Sequence, residues 1–240
     1  MQNKLVLLID GNWLLFRSYF STLSWFNDKT KNGIWQFKKT LSLLSNNLKL
    51  TTDKFFIFFD SKGGSFRNKL TPDYKATRPK IDPNLLLQLI EMPKELEKMN
   101  IRTYKKEGLE ADDLVGIAAE KLKSKVDLVL MVTVDKDYCQ LIDDNVKLYT
   151  PTKKIWKTLG RKYVKERYGI TPEQFADFLA LVGDKADNII KVIPKMGEKT
   201  AAKLLNQFGS LKNIVKQKQY EQYKEKLLFN LKLTTIKREL

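Results

Sequence analysis

The sequence contains no histidine and a single cysteine, Cys139. Without histidine there is no Ser-His-Asp triad and no imidazole general base, and one thiol cannot build a tetrahedral zinc cage. Any metal here must be held by oxygen, which points to Mg²⁺, Mn²⁺ or Ca²⁺. One cysteine excludes an internal disulfide and suits a reducing compartment. No apolar run reaches the ~18–20 residues of a membrane span. The N-terminus also lacks the basic, apolar and small-residue succession of a signal peptide, so a cytoplasmic protein with no membrane contact is expected. Negative charge is scarce too: 28 Asp and Glu stand against 44 Lys and Arg, a net charge of +16 over 240 residues. That excess points to a polyanionic partner, nucleic acid before an anionic membrane, although a lysine-rich, A/T-biased genome would give the same balance.

What is present reads as an ordinary globular chain, 42% hydrophobic and 30% charged, long enough for one large domain or a large and a small one. Three near-continuous apolar runs read as strands covered on both faces: "KLVLLID" ending at Asp10, "KFFIFFD" ending at Asp60, and "DLVLMVTVDKD" ending at Asp135 and Asp137. Helical patterns such as "IWQFKKTLSLLSNNL" and "NLLLQLIEMPKELEKM" separate them, and the alternation predicts an α/β fold with a mainly parallel sheet. All three runs stop at an acid, which places those acids at the carboxyl edge, where open α/β sheets bind ligands. A lone Asp at such a position is more commonly a helix cap or turn former.

The segment 61–83 breaks the periodicity. It holds six Lys or Arg against two Asp, with Phe66 and Tyr74 interleaved and Gly63, Gly64, Pro72, Pro79 and Pro83 interrupting any helix. It reads as a surface loop or a phosphate-tracking clamp. A hairpin-like stretch, "VKLYTPTKKIWKTL", follows Asp137, and helical patterning begins near Lys162. From Asn188 to Leu240, twelve Lys or Arg face four Glu, as in a small basic helical domain. The expected division is residues 1–161 for the α/β core, including a clamp at 61–84, and 162–240 for the helical domain.

The stretch "EGLEADDLVGIAAEKL" sets Glu110, Asp112 and Asp113 within four residues. Like charges ~4 Å apart cost roughly 4 kcal/mol per pair at an effective dielectric of about 20. Glu110 and Asp113 stand at i, i+3 and share a helical face, as do Asp184 and Asp187; Asp135 and Asp137, at i, i+2 on a strand end, point to one side. With Asp10, Asp60 and Asp112 these make nine acids compatible with one site, and only 19 others remain in the chain. Singly, "EADD" could complement a helix dipole, "DKD" could be a turn and "GDKADN" an N-capped loop. Together, on so basic a protein, they call for a counter-charge. Divalent cations supply one, and a pair about 3.5–4 Å apart is the recurring arrangement for phosphodiester hydrolysis, one of them acidifying a water in place of the missing histidine base.

At these residues the sequence closely resembles the bacterial and phage 5′ nuclease family, which comprises the 5′→3′ exonuclease domain of DNA polymerase I, its standalone relatives and the flap endonucleases. The resemblance rests on "LIDGNWLLFR", "FFDSKGGSFR", "DYKATRP", "EGLEADDLVG", "TVDKDYCQL", "LALVGDKADNI" and "GEKTAAKLL", in order over about 200 residues. It implies a PIN-like α/β core, a helical clamp or arch, and a C-terminal helix-hairpin-helix-type DNA-binding region. It further implies a monomeric nuclease of replication and repair that uses two Mg²⁺ or Mn²⁺ to cut DNA at 5′ flaps, nicks and free 5′ ends, with RNA primers in RNA-DNA hybrids as a further substrate. One metal is expected near Asp10, Asp60, Glu110 and Asp112, the second near Asp113, Asp135, Asp137, Asp184 and Asp187. Phe16 falls where the family places an aromatic that stacks near the scissile nucleotide, although core packing is an equal claim on it. Lys75 and Arg78 fall on the clamp as catalytic cations for the scissile phosphate. Tyr74 and Arg67 are expected on the DNA side, as are Lys195, Gly197, Lys199 and Thr200 of the hairpin.

One departure stands out. The family hairpin reads Pro-Gly-X-Gly-Glu-Lys-Thr and binds backbone phosphates through amide N–H groups and a K⁺ ion. Here it reads "PKMGEKT", with Lys195 where glycine would permit a positive φ and close backbone approach. The tight turn and the K⁺ therefore depend on what conformation the lysine adopts. The chain begins "MQNKLVLLID" and reaches Leu240 without a polymerase segment, which suggests a standalone nuclease.

Other classes fit less of the sequence. A catalytically silent DNA-junction binder of the same fold would be expected to have lost acids, and none is lost. A haloacid-dehalogenase-type phosphotransferase needs Asp-X-Asp after its first strand, where "LIDGNWL" has Asn12. A Toprim-like site could use "DKD" but leaves Asp10, Asp60 and "EADD" without a role.

Overall fold

The computed structural model describes residues 4–152 and 155–240. The first apolar run forms strand β1 (Leu5–Asp10), and helix α1 (Gly11–Thr22) follows without a loop because the Asp10 carboxylate caps it, accepting the Trp13 N–H at 2.9 Å. Helix α2 (Asn32–Leu48) and strand β2 (Phe55–Phe58) come next, then the short helix α3 (Phe66–Leu70). Helix α4 (Pro83–Glu97) starts on a proline at its first turn, with the Asp82 side chain accepting the Asn84 N–H. Strand β3 (Arg102–Tyr104), helix α5 (Ala111–Leu122), strand β4 (Leu128–Val132) and strands β5 (Val146–Pro151) and β6 (Trp156–Leu159) complete the sheet. Five helices follow: α6 (Arg161–Tyr168), α7 (Phe175–Val182), α8 (Glu198–Phe208), α9 (Leu211–Ile214) and α10 (Lys224–Thr234).

The sheet order is β3-β2-β1-β4-β5-β6, parallel except for β6. From β1 the chain builds outward to β2 and β3, then returns to place β4 and β5 on the other side. The order thus reverses between β1 and β4, the point at which open α/β sheets form a ligand crevice at their carboxyl ends. The expected hairpin is β5–β6, and its residues 153 and 154 lie outside the described residues, as do residues 1–3 of the expected core.

Alternation along β1 sends Leu7 and Ile9 to one face and Val6 and Leu8 to the other. Leu7 and Ile9 join Leu14, Phe37 and Met92 of α1, α2 and α4. Val6 and Leu8 join Val115 of α5, Phe178 of α7 and Leu205 of α8 in a second core that runs unbroken from the sheet into the C-terminal helices. The segment 61–84 consists of α3 followed by turns, and it lies down on the carboxyl edge with the Tyr74 ring buried. Among the described residues no helix is long and apolar enough to cross a membrane.

Candidate active site

The carboxyl edge at the strand-order reversal collects acids from five places along the chain. Asp10 ends β1; Asp60 follows β2; Glu110, Asp112 and Asp113 open α5; Asp135 caps a 3-10 turn after β4 and accepts the Asp137 N–H at 2.9 Å. Asp184 and Asp187 come from the loop after α7. That loop folds back through paired backbone hydrogen bonds between Asp184 and Ile189, at 2.9 and 2.7 Å. It leaves α7 at Gly183, whose φ is +74° and where a Cβ would sit 2.8 Å from the Ile189 carbonyl, so glycine is required. A cavity of about 490 Å³ is lined by Asp10, Asp60, Glu110, Asp112 and Asp135, with Phe16, Lys75 and Arg78 on its walls. One carboxylate oxygen from each of Glu110, Asp112 and Asp113 lies within 4.8 Å of the others.

The clamp residues seal this cluster from one side. The Tyr74 hydroxyl lies 3.1 Å from both Glu110 Oε2 and Asp187 Oδ2. Lys75, held at φ 58° with its N–H on the Asp187 carbonyl, reaches Glu110 Oε1 at 2.9 Å. Arg78 Nη2 bonds Asp187 Oδ1 at 2.5 Å, and Lys136 Nζ bonds Asp184 Oδ2 at 2.6 Å.

Even so, positive charge does not balance the acids. Burial above all, and then the neighbouring Asp60 and Asp135 carboxylates, push Asp10 up to about 7 against the hydrogen bond from the Trp13 N–H. Asp60, Asp112, Asp135 and Asp137 are also raised, in each case chiefly because the enclosing walls strip water from the charged form. Asp184 goes the other way: burial opposes its charge, but the Lys136 ammonium and the Ala186 and Asp187 N–H groups outweigh it. Asp137 Oδ1 is buried without a hydrogen-bond partner. An all-oxygen donor set, buried and mutually repelling carboxyls that resist ionisation and an orphaned carboxylate oxygen together fit a hard divalent cation.

Two expected site residues have other partners. Arg67, expected on the DNA side, is 1% exposed and turned inward, its guanidinium bound to Asp113, Glu110 and two backbone carbonyls. A cation so enclosed has no surface to offer a phosphate. Asp113, expected beside the second metal, is fully buried with both oxygens held by Arg67. Tyr74 likewise presents its hydroxyl to the acids beneath it, and its ring is buried. Phe16 stands half-exposed at the cavity wall, 6.5 Å from the exposed Phe20 ring.

The hairpin forms its turn. The Met196 N–H bonds the Ile193 carbonyl at 3.2 Å, and Lys195 takes φ 59°, the left-handed conformation expected of glycine. Lys195, Lys199 and Thr200 are exposed, and Gly197 precedes the first turn of α8. These residues do not line the acid cavity. A second groove of about 350 Å³ links Met196 and Gly197 to Gly183 and Lys136 at its rim.

Residue patterns had left three supports unassigned. Asn12 exchanges two hydrogen bonds with Asp60, its Nδ2 to Asp60 Oδ2 at 3.0 Å and its Oδ1 from the Asp60 N–H at 2.9 Å. The Tyr138 hydroxyl bonds Asp10 Oδ2 at 3.0 Å, and Lys136 pairs with Asp184. Each lies within two residues of a candidate acid, which was the only available signal.

Family models match both parts of the chain: "5'-3' exonuclease, N-terminal resolvase-like domain" over residues 5–169 and "5'-3' exonuclease, C-terminal SAM fold" over residues 170–240. The chain is 39% identical over 216 residues to a 5'-3' exonuclease of Buchnera aphidicola subsp. Schizaphis graminum, covering 89% of this chain and 74% of that one. It is 32% identical over 259 residues to DNA polymerase I of Bacillus subtilis, covering 98% of this chain but 28% of the polymerase. In fold it is similar to the bacteriophage T5 flap endonuclease solved as a pseudo-enzyme-product complex with DNA and metal ions, with a TM-score of 0.76 at 24% identity over 96% of this chain and 89% of that one.

Proposed function

Because the chain belongs to the 5′-3′ exonuclease family, we propose that its carboxyl-edge cavity is the active site of a divalent-metal-dependent 5′→3′ exonuclease that also cuts 5′ flaps. The observation that carries this reading is the convergence of acids from five places along the chain, with five of the carboxyls raised by burial first and by neighbouring acids after it. Asp10, Asp60, Glu110 and Asp112 would hold one cation, and Asp135, Asp137, Asp184 and Asp187 a second. Mg²⁺ or Mn²⁺ suits such an oxygen set, and when bound would neutralise the acids, activate water and stabilise charge developing on the phosphate.

The chain's own side chains supply the rest. Asn12 and the Tyr138 hydroxyl fix the orientation of the Asp60 and Asp10 carboxylates. Lys75 and Arg78, paired here with Glu110 and Asp187, are within a side-chain swing of a phosphate over the cavity and would hold it there. Phe16 offers its face to the terminal nucleotide. The N–H groups of Gly197 to Thr200, at the start of α8, and the exposed ammonium groups of Lys195 and Lys199 would grip duplex phosphates. Lys195 takes the left-handed conformation open to glycine, so the turn forms, and a K⁺ ion bound there would add to the grip on the duplex. Residues 1–161 would then act as the catalytic unit and 162–240 as the duplex grip, in a monomeric cytoplasmic enzyme acting on DNA and on RNA primers in hybrids.

The test is cleavage of a labelled 5′-flap duplex, with blunt duplex and single strand as controls, in Mg²⁺ and in EDTA. Metal-dependent cutting near the flap junction supports the reading. Tight flap binding without cutting in either Mg²⁺ or Mn²⁺ overturns it.

A further inference from the structure

Arg67 spends every donor it has inside the protein. A guanidinium carries five N–H groups in a fixed fork. Here Nε bonds the Leu233 carbonyl at 2.8 Å, Nη1 bonds Glu110 Oε2 at 3.1 Å and Asp113 Oδ2 at 2.8 Å, and Nη2 bonds Asp113 Oδ1 at 2.9 Å and the Thr235 carbonyl at 3.0 Å. Asp113 is engaged as fully. Besides Arg67, its Oδ1 accepts the Lys237 N–H at 3.0 Å and its Oδ2 the Glu110 N–H at 3.2 Å. With four hydrogen bonds and no exposure, it has no lone pair left for a cation.

The carbonyls on Arg67 belong to the last turn of α10 (Leu233) and to the residue that follows it (Thr235), and the segment they begin touches the two elements bearing most of the acids. It packs on α5 at Gly116, where a Cβ would stand 2.4 Å from the Lys237 carbonyl oxygen and 2.8 Å from Ile236 Cγ2. It also grips the turn that carries Asp135 and Asp137: the Ile236 N–H bonds Gln140 Oε1 at 2.9 Å, Gln140 Nε2 bonds the Thr234 carbonyl at 3.0 Å, and Arg238 bonds the Gln140 carbonyl. Among Arg67's hydrogen-bond partners in the described residues, only Glu110 also faces the acid cavity; Asp112, whose Oδ1 stands 3.9 Å from Nη1, faces it too but is not hydrogen-bonded to the guanidinium.

We propose that Arg67 is a positioning residue, anchored by the segment Leu233–Lys237, that holds Glu110 toward the cavity and so sets its affinity for a divalent cation. Asp113 is the counter-ion of Arg67, not a cation ligand. Lys75 and the Tyr74 hydroxyl also bond Glu110. Lys75, however, is the group proposed to turn to the phosphate, which leaves Arg67 as the buried cation that stays on Glu110, and a ligand already fixed loses less freedom when the divalent cation arrives. This inference rests on the reading of the cavity as a divalent-cation site.

The test is a Mn²⁺ titration of the full chain by electron paramagnetic resonance, alongside thermal unfolding in EDTA and the Mg²⁺ dependence of flap cleavage. Arg67→Met alone would strand a buried Asp113 charge and lower stability regardless of any positioning role. The informative variant is therefore Arg67→Met with Asp113→Leu, which removes the pair and leaves Glu110 without its guanidinium. The expected result is Mn²⁺ bound ~10–100-fold more weakly, with cleavage that recovers at high Mg²⁺. The melting temperature should fall, because the Glu110 and Lys237 N–H groups and the Leu233 and Thr235 carbonyls lose their partners. Wild-type Mn²⁺ affinity in that variant would show that Arg67 merely neutralises Asp113, and would overturn the proposal. Arg67→Lys keeps the charge but cannot span both acids and both carbonyls; it too should weaken Mn²⁺ binding, and it decides the matter where the double variant does not fold. Gly116→Ala, which displaces the C-terminal segment while keeping Arg67, should act in the same direction, and unchanged affinity there removes the segment from the mechanism. A wild-type protein that bound no Mn²⁺ would sink the cation reading itself, a separate failure.

Discussion

At Lys195 the backbone holds φ at 59°, a conformation that costs an L-residue with a Cβ about 1–2 kcal/mol. The turn is kept because Ile193 and Met196, which close it, are both buried. Lys195→Gly should relieve the strain, part of the gain being lost to the greater freedom of glycine in the unfolded chain. The expected result is a rise of roughly 2–4 °C in melting temperature, by calorimetry, for a net gain of about 1 kcal/mol. Flap affinity should fall in the same variant, since the exposed ammonium is lost; an unchanged affinity would mean that this lysine does not touch the duplex. At the acids the expectation is sharper. Asp10→Ala or Asp135→Ala should abolish cleavage while gel-shift binding of the flap persists, because each removes a carboxylate from the cavity and leaves the basic surface intact. Robust cleavage by either variant would remove that acid from the site.

The buried Gln88 amide joins α4 to α2, and the Asn32 side chain carries the link on to α1, its Nδ2 donating to the Tyr19 carbonyl at 2.9 Å and to Thr22 Oγ1 at 3.0 Å. Gln88 Oε1 accepts the Ile34 N–H at 2.9 Å, while its Nε2 donates to the Lys29 carbonyl at 2.9 Å and to Asn32 Oδ1 at 3.1 Å. Gln88→Ala would leave a buried N–H and a buried carbonyl unpaired, at a cost of about 1–3 kcal/mol. For a chain of this length that is a fall of several degrees in melting temperature, with kcat little changed because no group in the cavity is touched. The same scale explains what could be read from residues alone. β1, β2 and β4 are unbroken apolar runs ending in acids, so their places in the sheet and the meeting of Asp10, Asp60 and Asp135 followed from pattern. β3 is three residues, "RTY", on an edge, too short and too polar to register as a strand. Spacing put Glu110 and Asp113 on one face of α5 but could not say that Arg67, 43 residues before Glu110, had already taken both oxygens of Asp113. In a segment with six basic residues, nothing in the sequence marks which one turns inward.

Over the whole molecule, a strongly basic surface encloses a pocket of uncompensated acids, and the two make opposite demands. The surface predicts steep salt dependence: raising salt from about 50 to 200 mM should weaken flap binding by ~100-fold or more if several phosphates are engaged. The pocket predicts an unusual pH dependence in the absence of metal. Asp10, raised to about 7, keeps a proton in the folded protein across a pH range where the unfolded chain has released it. Since the folded state then binds more protons, stability falls as pH rises from the unfolded value near 4 through 7, and the favourable contribution is complete only below that window. One such group is worth on the order of 4 kcal/mol. Asp60, Asp112, Asp135 and Asp137 act in the same direction, and Asp184, whose pKa is lowered, acts against them. Differential scanning calorimetry in EDTA should therefore show the melting temperature dropping by roughly 10 °C between pH 5 and pH 8. Adding Mg²⁺ or Mn²⁺ at pH 8 should restore it, because a bound cation takes the place of the protons. A melting temperature in EDTA that held level or rose over that range would mean that Lys75, Arg78 and Lys136 already balance the acids, and the pocket would then have no electrostatic need of a metal.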